Sequence, residues 1–158
     1  MDETEARERI TRAVAAVKEP VLDAAELDDL VALTLFGVEG GEAAASGLLD
    51  RNVTGLVCGS DLMALGAIRA ARRRGLNVPS DLSVVGFDDS PLIAFTDPPL
   101  TTLRQPVSAM GFAAVRALVD EINGFGAPRS EYIFTTELVV RNSTAIAPHA
   151  ARQSVPVA

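Results

Sequence analysis

The chain has 158 residues, 48% hydrophobic, 22% charged and only 4% aromatic, which suits one globular domain or two small lobes. A formal net charge of −7 argues against this segment gripping a phosphate backbone by itself. A single cysteine, Cys58, excludes an internal disulfide, and with the lone His149 it leaves no zinc-type ligand set.

In chain order, Asp2 to Lys18 reads as a helix, with acidic residues in its first turn and an apolar stripe of Ile10, Ala13, Val14 and Val17. Pro20 ends it. The charged N-terminus is unlike a signal peptide and no apolar stretch is long enough to span a bilayer, so a cytoplasmic location is expected, with no membrane partner. Asp28 to Gly37 is expected to carry a strand centred on Leu30 to Phe36. Gly40-Gly41 then leads into a short helix with Ala44 and Leu48 on one face.

The most informative stretch runs from Gly55 to Pro91. A short apolar run, Gly55 to Cys58, turns polar at Gly59-Ser60-Asp61 and opens a helix with Leu62, Leu65 and Ile68 on one face. Ser60 or Asp61 supplies the cap, Arg72 to Arg74 suit a helix C-terminus, and Gly75 suits the residue beyond it. A second apolar run, Leu82 to Phe87, ends on Asp88-Asp89. Strand, helix and strand imply a crossover and a parallel pair. The strands' C-terminal ends then share one rim, bringing Ser60 and Asp61 beside Asp88 and Asp89, where open α/β sheets bind ligands. The simpler reading is that Asp61 caps a helix and Asp89-Ser90-Pro91 starts a turn. Cys58 is expected to pack as a small buried hydrophobe.

Beyond the rim, Leu92, Ile93 and Phe95 have no obvious strand partner; they fill the local core or face another subunit. Thr101 to Gln105 reads as a short strand, and Pro106 suits the first position of a helix from Val107 to Asn123. Met110, Ala114, Leu118 and Ile122, flanked by Val107, Gly111, Val115 and Val119, give that helix a broad apolar face, expected to be core. Tyr132 to Val140 is β-rich, broken by Thr135-Thr136-Glu137, and Arg141-Asn142-Ser143-Thr144 ends it. His149 to Ala158 lacks periodicity and is expected to be disordered. Arg69 and Arg72 to Arg74 form the only basic cluster, better read as a solvated helix end than as a nucleic-acid contact.

The phrases SDLMALGA, GLNVPSDLSVVGFDD, PPLTTLRQP and LVVRNST, in this order and spacing, closely resemble the effector-binding domain of the LacI/GalR family of bacterial transcriptional regulators. The resemblance is good from about Val31 to Pro148 and looser before it. It implies a periplasmic-binding-protein-like (type I) α/β fold, a three-layer α/β/α lobe with a parallel sheet plus the returning strand-helix segment of a second lobe. On that reading residues 1–100 form the C-terminal lobe without its first strand, 101–124 a strand and helix of the N-terminal lobe, 125–147 a return segment and 148–158 the tail. Asp97-Pro98-Pro99-Leu100 becomes the crossover between lobes. The missing strand would lie between those near Leu33 and Val57, leaving the sheet's interior unpaired and the segment marginally stable alone.

The resemblance further implies a small polar effector, most plausibly a sugar, bound between lobes. Asp88 would accept hydrogen bonds from its hydroxyls, with Ser60, Asp61, Gln105 and Val107 as lesser contacts. Arg9, or Arg7, matches a ligand-contacting arginine, although Arg12 stands where the family usually has glycine. Leu65, Ile68, Leu92, Ile93 and Phe95 would build a homodimer contact. DNA would be bound only through a helix-turn-helix domain not in this chain. The expected function is therefore a sensing and dimerisation module, not an enzyme, with no cofactor and no metal. Two alternatives are a solute-binding protein lobe and an enzyme or phosphoacceptor domain holding Mg²⁺ on Asp61, Asp88 and Asp89. The second lacks a glycine-rich phosphate loop and any lysine near these carboxylates, since Lys18 is the only lysine.

Overall fold

The computed structural model describes residues 28–125 and 132–146. The expected helix from Asp2 to Lys18, Arg7, Arg9 and the tail from His149 lie outside these residues. Helix α1 (Val38–Leu49) leads to strand β1 (Gly55–Val57), helix α2 (Asp61–Arg73) and strand β2 (Ser83–Asp88). A 3-10 turn (Ile93–Phe95) precedes strand β3 (Thr101–Arg104), helix α3 (Val107–Ile122) and strand β4 (Glu137–Val139). The sheet order is β1-β2-β3-β4, with the first three strands parallel and β4 antiparallel to β3.

Local chemistry sets the limits of α2. Ser60, in extended backbone, accepts the Met63 N–H on its hydroxyl at 3.2 Å and satisfies one donor of the first turn. At the other end Gly75 has φ +73°, its N–H reaches the Arg72 carbonyl, and the Leu76 N–H reaches the Ala71 carbonyl. This pair of bonds is a Schellman closure, which favours glycine because only it takes that backbone without a Cβ penalty. The face of α2 toward the protein is small: Ala64, Ala67, Ala70 and Ala71 are buried with Ile68. Against it lie Leu82, Val84 and Leu56 from the sheet, Ala45 and Leu49 from α1, and Ile93 and Leu100 from the loop before β3. The two helices touch through glycines. A Cβ on Gly66 would stand 2.1 Å from the Val38 carbonyl oxygen, and one on Gly41 would stand 2.2 Å from that of Met63.

Several expectations need correction. Residues 31–35 form no strand. A strand exists through its ladder, and β1 pairs only with β2 among the described residues, so 31–35 have no partner. Thr101 to Arg104 does not open a second lobe: it pairs in parallel with β2, from Val85↔Thr101 to Asp88↔Arg104. Asp97 to Leu100 is accordingly a turn within one lobe, held by Leu100, which is fully buried. The chain leaves the sheet at Gln105-Pro106, four residues later than expected.

Helix α3 starts at Val107 as expected and ends one residue early, at Ile122, with Asn123 as its C-cap and Gly124 (φ +77°) beyond. Its apolar face is not core here: no residue of α3 is buried, and Val107, Phe112, Val115, Leu118 and Ile122 are exposed. The β-rich run from Tyr132 narrows to Glu137–Val139, the part that faces β3. Ile68 and Ile93, expected at a dimer contact, are 3% and 2% exposed and belong to the interior. Leu92 and Phe95 flank Ile93 and point outward. A 3-10 turn separates these faces.

Candidate functional site

The three parallel strands end on one edge, where Asp88 closes β2 and Gln105 follows β3 directly. Their side chains meet: Gln105 Nε2 donates to Asp88 Oδ1 at 2.8 Å. Asp88 is exposed and Gln105 half-buried. Val107 stands 66% exposed two residues on, at the start of α3. Three of the expected contacts, Asp88, Gln105 and Val107, are thus neighbours on the rim or one short step from it.

Ser60 and Asp61 are not on the rim's surface. Ser60 is buried and its hydroxyl is engaged in capping α2. Asp61 is 2% exposed, and both carboxylate oxygens face protein donors. Oδ1 accepts the Thr102 hydroxyl at 2.6 Å and Oδ2 accepts the Ser90 N–H at 2.8 Å. Gly86 makes room for this carboxylate, since a Cβ there would lie 2.5 Å from Oδ1. The expectation that Asp61 touches ligand gives way to a structural role, because a buried carboxylate needs such partners. It ties α2, β3 and the loop after β2 together.

The backbone at the end of β2 is unusual. Asp88 has φ +114° and Asp89 φ +55°, consecutive left-handed values at non-glycine residues. Such a conformation costs about 1–3 kcal/mol per residue and persists only where the surroundings hold it. The result is that Asp88 faces outward while the Asp89 carboxylate turns in, its side chain 7% exposed. There Arg104 Nε donates to Oδ2 at 2.7 Å and Arg141 donates from a terminal nitrogen to Oδ1 at 2.6 Å. Arg104 also bonds Glu137 at 3.2 Å, and Arg141 bonds the Leu100 carbonyl at 2.8 Å. Sequence reasoning gave Arg104 and Arg141 no role. The available signal was Asp89 itself, a second acid after a buried strand, which calls for a cation brought from elsewhere in the fold.

Burial pushes the Asp89 carboxyl up, but the hydrogen bonds and charges of Arg141 and Arg104 outweigh it and hold the group below its ordinary 3.8. A carboxylate with a folded value below its unfolded one stabilises the fold fully above the unfolded value, and loses that contribution as pH falls through the folded one. The stability gap between the wild type and Asp89→Asn, measured by urea denaturation, is expected to be constant from neutral pH to about pH 5 and to shrink below about pH 4. A gap that widened on acidification would contradict the pairing.

Other candidates are quiet. Burial pushes the Cys58 thiol up to about 11, so it stays protonated at neutral pH and is no nucleophile. The basic cluster on α2 is occupied internally: Arg69 and Arg73 share Glu42, Arg74 pairs with Asp50 at 2.7 Å, and Arg72 pairs with Asp97 at 3.3 Å. Among the described residues no group of three or more His, Cys, Asp or Glu side chains gathers to hold a metal ion, and no helix is long and apolar enough to cross a membrane.

Beneath the sheet, Ser143 is fully buried and its hydroxyl bridges β2 and β3. It donates to the Val84 carbonyl at 2.6 Å and accepts the Thr101 N–H at 2.8 Å. The RNST segment after β4 thereby locks into the sheet below the rim.

The profile of the family described as "Periplasmic binding protein-like domain" matches residues 2–144. The HTH-type transcriptional regulator MalR of Streptomyces coelicolor is 68% identical over 120 residues, covering 76% of this chain and 35% of MalR. Among solved structures, the complex of the transcriptional regulator CelR with cellobiose superposes with a TM-score of 0.71 at 38% identity, covering 84% of this chain and 39% of that one. The lac repressor dimer bound to operator and the anti-inducer ONPF gives 0.62 at 32% identity, over 70% of this chain and 39% of the repressor. The chain thus spans little more than a third of the length of these regulators. It belongs to the periplasmic-binding-protein-like domain family, in the form carried by LacI-type transcriptional regulators.

Proposed function

We propose that this chain senses a small polar effector, a sugar, for a LacI-type regulator, and that Asp88 is the principal contact. The carrying observation is the exposed Asp88 carboxylate at the C-terminal end of a parallel strand, with one oxygen on Gln105 and acceptor capacity to spare. A carboxylate presents two acceptor oxygens and no donor, which suits adjacent hydroxyls of a sugar ring. Gln105 orients it and offers an amide of its own, and Val107 supplies an apolar edge at the start of α3. Arg9 belongs to the same proposal as a contact from the N-terminal segment. The cellobiose-bound relative supports the ligand class.

The remaining parts of the function follow the same reading. Leu92 and Phe95, 76% and 86% exposed, with the half-buried Leu65, form the apolar patch for a second copy. Coupling to DNA runs through differential effector affinity for two domain arrangements, read out by a DNA-binding domain elsewhere. The acidic chain and its paired arginines suit that division of labour.

Calorimetric titration with cellobiose, lactose and ribose tests the site. Asp88→Ala is expected to lower affinity for whichever sugar binds by about 10- to 150-fold, corresponding to the roughly 1.5–3 kcal/mol of a hydrogen bond to a charged group. Its unfolding midpoint stays near that of the wild type because Asp88 is exposed. Unchanged affinity would remove Asp88 from the site.

A further inference from the structure

We infer that Arg104 and Arg141 are positioning residues for the effector site, acting through Asp89 on Asp88; this rests on the sensing role proposed above. Asp88 and Asp89 are consecutive residues in left-handed backbone, the first exposed and the second with its side chain 7% exposed, so the turn that draws one inward sets the direction of the other. Three attachments hold that turn. Arg104 Nε and an Arg141 terminal nitrogen each take one Asp89 oxygen, at 2.7 and 2.6 Å, and the Ser90 N–H sits on Asp61 Oδ2 at 2.8 Å. Neither arginine is a loose surface cation. Arg141 is fixed from its own backbone, whose N–H reaches the Thr101 hydroxyl at 2.9 Å, and by its second terminal nitrogen on the Leu100 carbonyl at 2.8 Å. Arg104 sits in register with Asp88 across β2 and β3, one residue before Gln105, and its far end holds Glu137 at 3.2 Å. The carboxylate proposed to meet ligand and the amide beside it are therefore both set by neighbours outside the proposed contacts. The Asp89 side chain is only 7% exposed, so its carboxylate is turned into the protein and not held at the surface. Its two arginines reach it from segments 15 and 52 residues away.

Arg104→Met and Arg104→Lys in the full chain separate positioning from simple stability, because Arg104 is half-exposed and outside the core. Two readouts are taken: amide hydrogen exchange of Asp89 and Ser90 without ligand, and calorimetric affinity for cellobiose, lactose and ribose. In Arg104→Met the two loop amides are expected to exchange at least tenfold faster while the Val84 amide in the core keeps its rate. Affinity for the sugar that binds wild type is expected to fall at least fivefold, and Arg104→Lys to restore both to within about threefold. Unchanged loop exchange in Arg104→Met overturns the inference, as does loosened exchange with wild-type affinity. If none of the three sugars binds the wild type, the sugar reading fails, and loop exchange still decides whether Arg104 holds the turn.

Discussion

Replacing Asp61 by alanine is expected to destabilise the chain by about 3 kcal/mol, enough to remove a large fraction of an ordinary domain's 5–15 kcal/mol. The substitution orphans two donors inside the protein, the Thr102 hydroxyl and the Ser90 N–H, each of which now bonds a carboxylate oxygen. A hydrogen bond to a charged group contributes roughly 1.5–3 kcal/mol, and relief from burying the charge returns part of the sum. Asp61→Asn separates the two bonds. Its carbonyl oxygen can accept from Ser90 and its amide can donate to the Thr102 oxygen, so the loss falls to about 1 kcal/mol. Urea denaturation of both variants checks the order, and equal stability of Asp61→Ala and wild type would return Asp61 to the candidate ligand contacts.

A second large effect is expected at the helix pair. Gly→Ala inside a helix ordinarily stabilises by up to about 1 kcal/mol through propensity. At Gly66 the sign reverses, because the added methyl meets the Val38 carbonyl oxygen at 2.1 Å and the Glu42 nitrogen at 2.6 Å, both backbone atoms of α1. Nothing there yields by a side-chain rotation, so α1 must shift, and the net cost is expected near 3 kcal/mol, the upper end of ordinary overpacking. Gly47→Ala is the internal control. It too is helical, in α1, but faces open space, and it is expected to gain stability by a fraction of a kcal/mol. Thermal midpoints moving in opposite directions for these two variants support the close helix contact. Parallel movement would not.

What was legible in the sequence was local. Ser60, Gly75 and Gly124 mark helix ends through backbone chemistry that needs no distant partner, and each sits where expected. The parallel pairing of β1 and β2 followed from the helix between them, a crossover long enough to carry the chain back to the starting edge, and it brought the strand ends to one rim as anticipated. The errors arose where a residue's fate depends on something remote. Asp61 looks like a cap or a rim acid until Thr102, 41 positions later, arrives to engage it. Leu30 to Phe36 has strand composition, but composition does not supply a ladder partner. Thr101 to Arg104 carries no mark of which sheet it joins; the register with β2 decides it. Ile68 and Ile93 are as apolar as Leu92 and Phe95, and only the turn of the chain separates interior from surface. Of the rim, Asp88 and Gln105 were legible as a pair of candidates, whereas the arginines that hold it were not, since Asp89 meets them across long stretches of chain.

The departure and return of the chain around α3 have an architectural consequence. The path leaves the sheet after Arg104 and re-enters at Glu137, and these two residues face each other in the antiparallel ladder, joined also by their side chains. The described residues 105–125 and 132–136 therefore lie outside a ladder whose three pairs, from Thr102↔Val139 to Arg104↔Glu137, clasp the departing and returning segments together. The entropy of closing such an excursion grows only slowly with its length, about 0.6 kcal/mol per doubling. The sheet is accordingly indifferent to how elaborate that insert becomes, and the fold can carry a large, independently shaped appendage on one clasp without loosening the strands beneath.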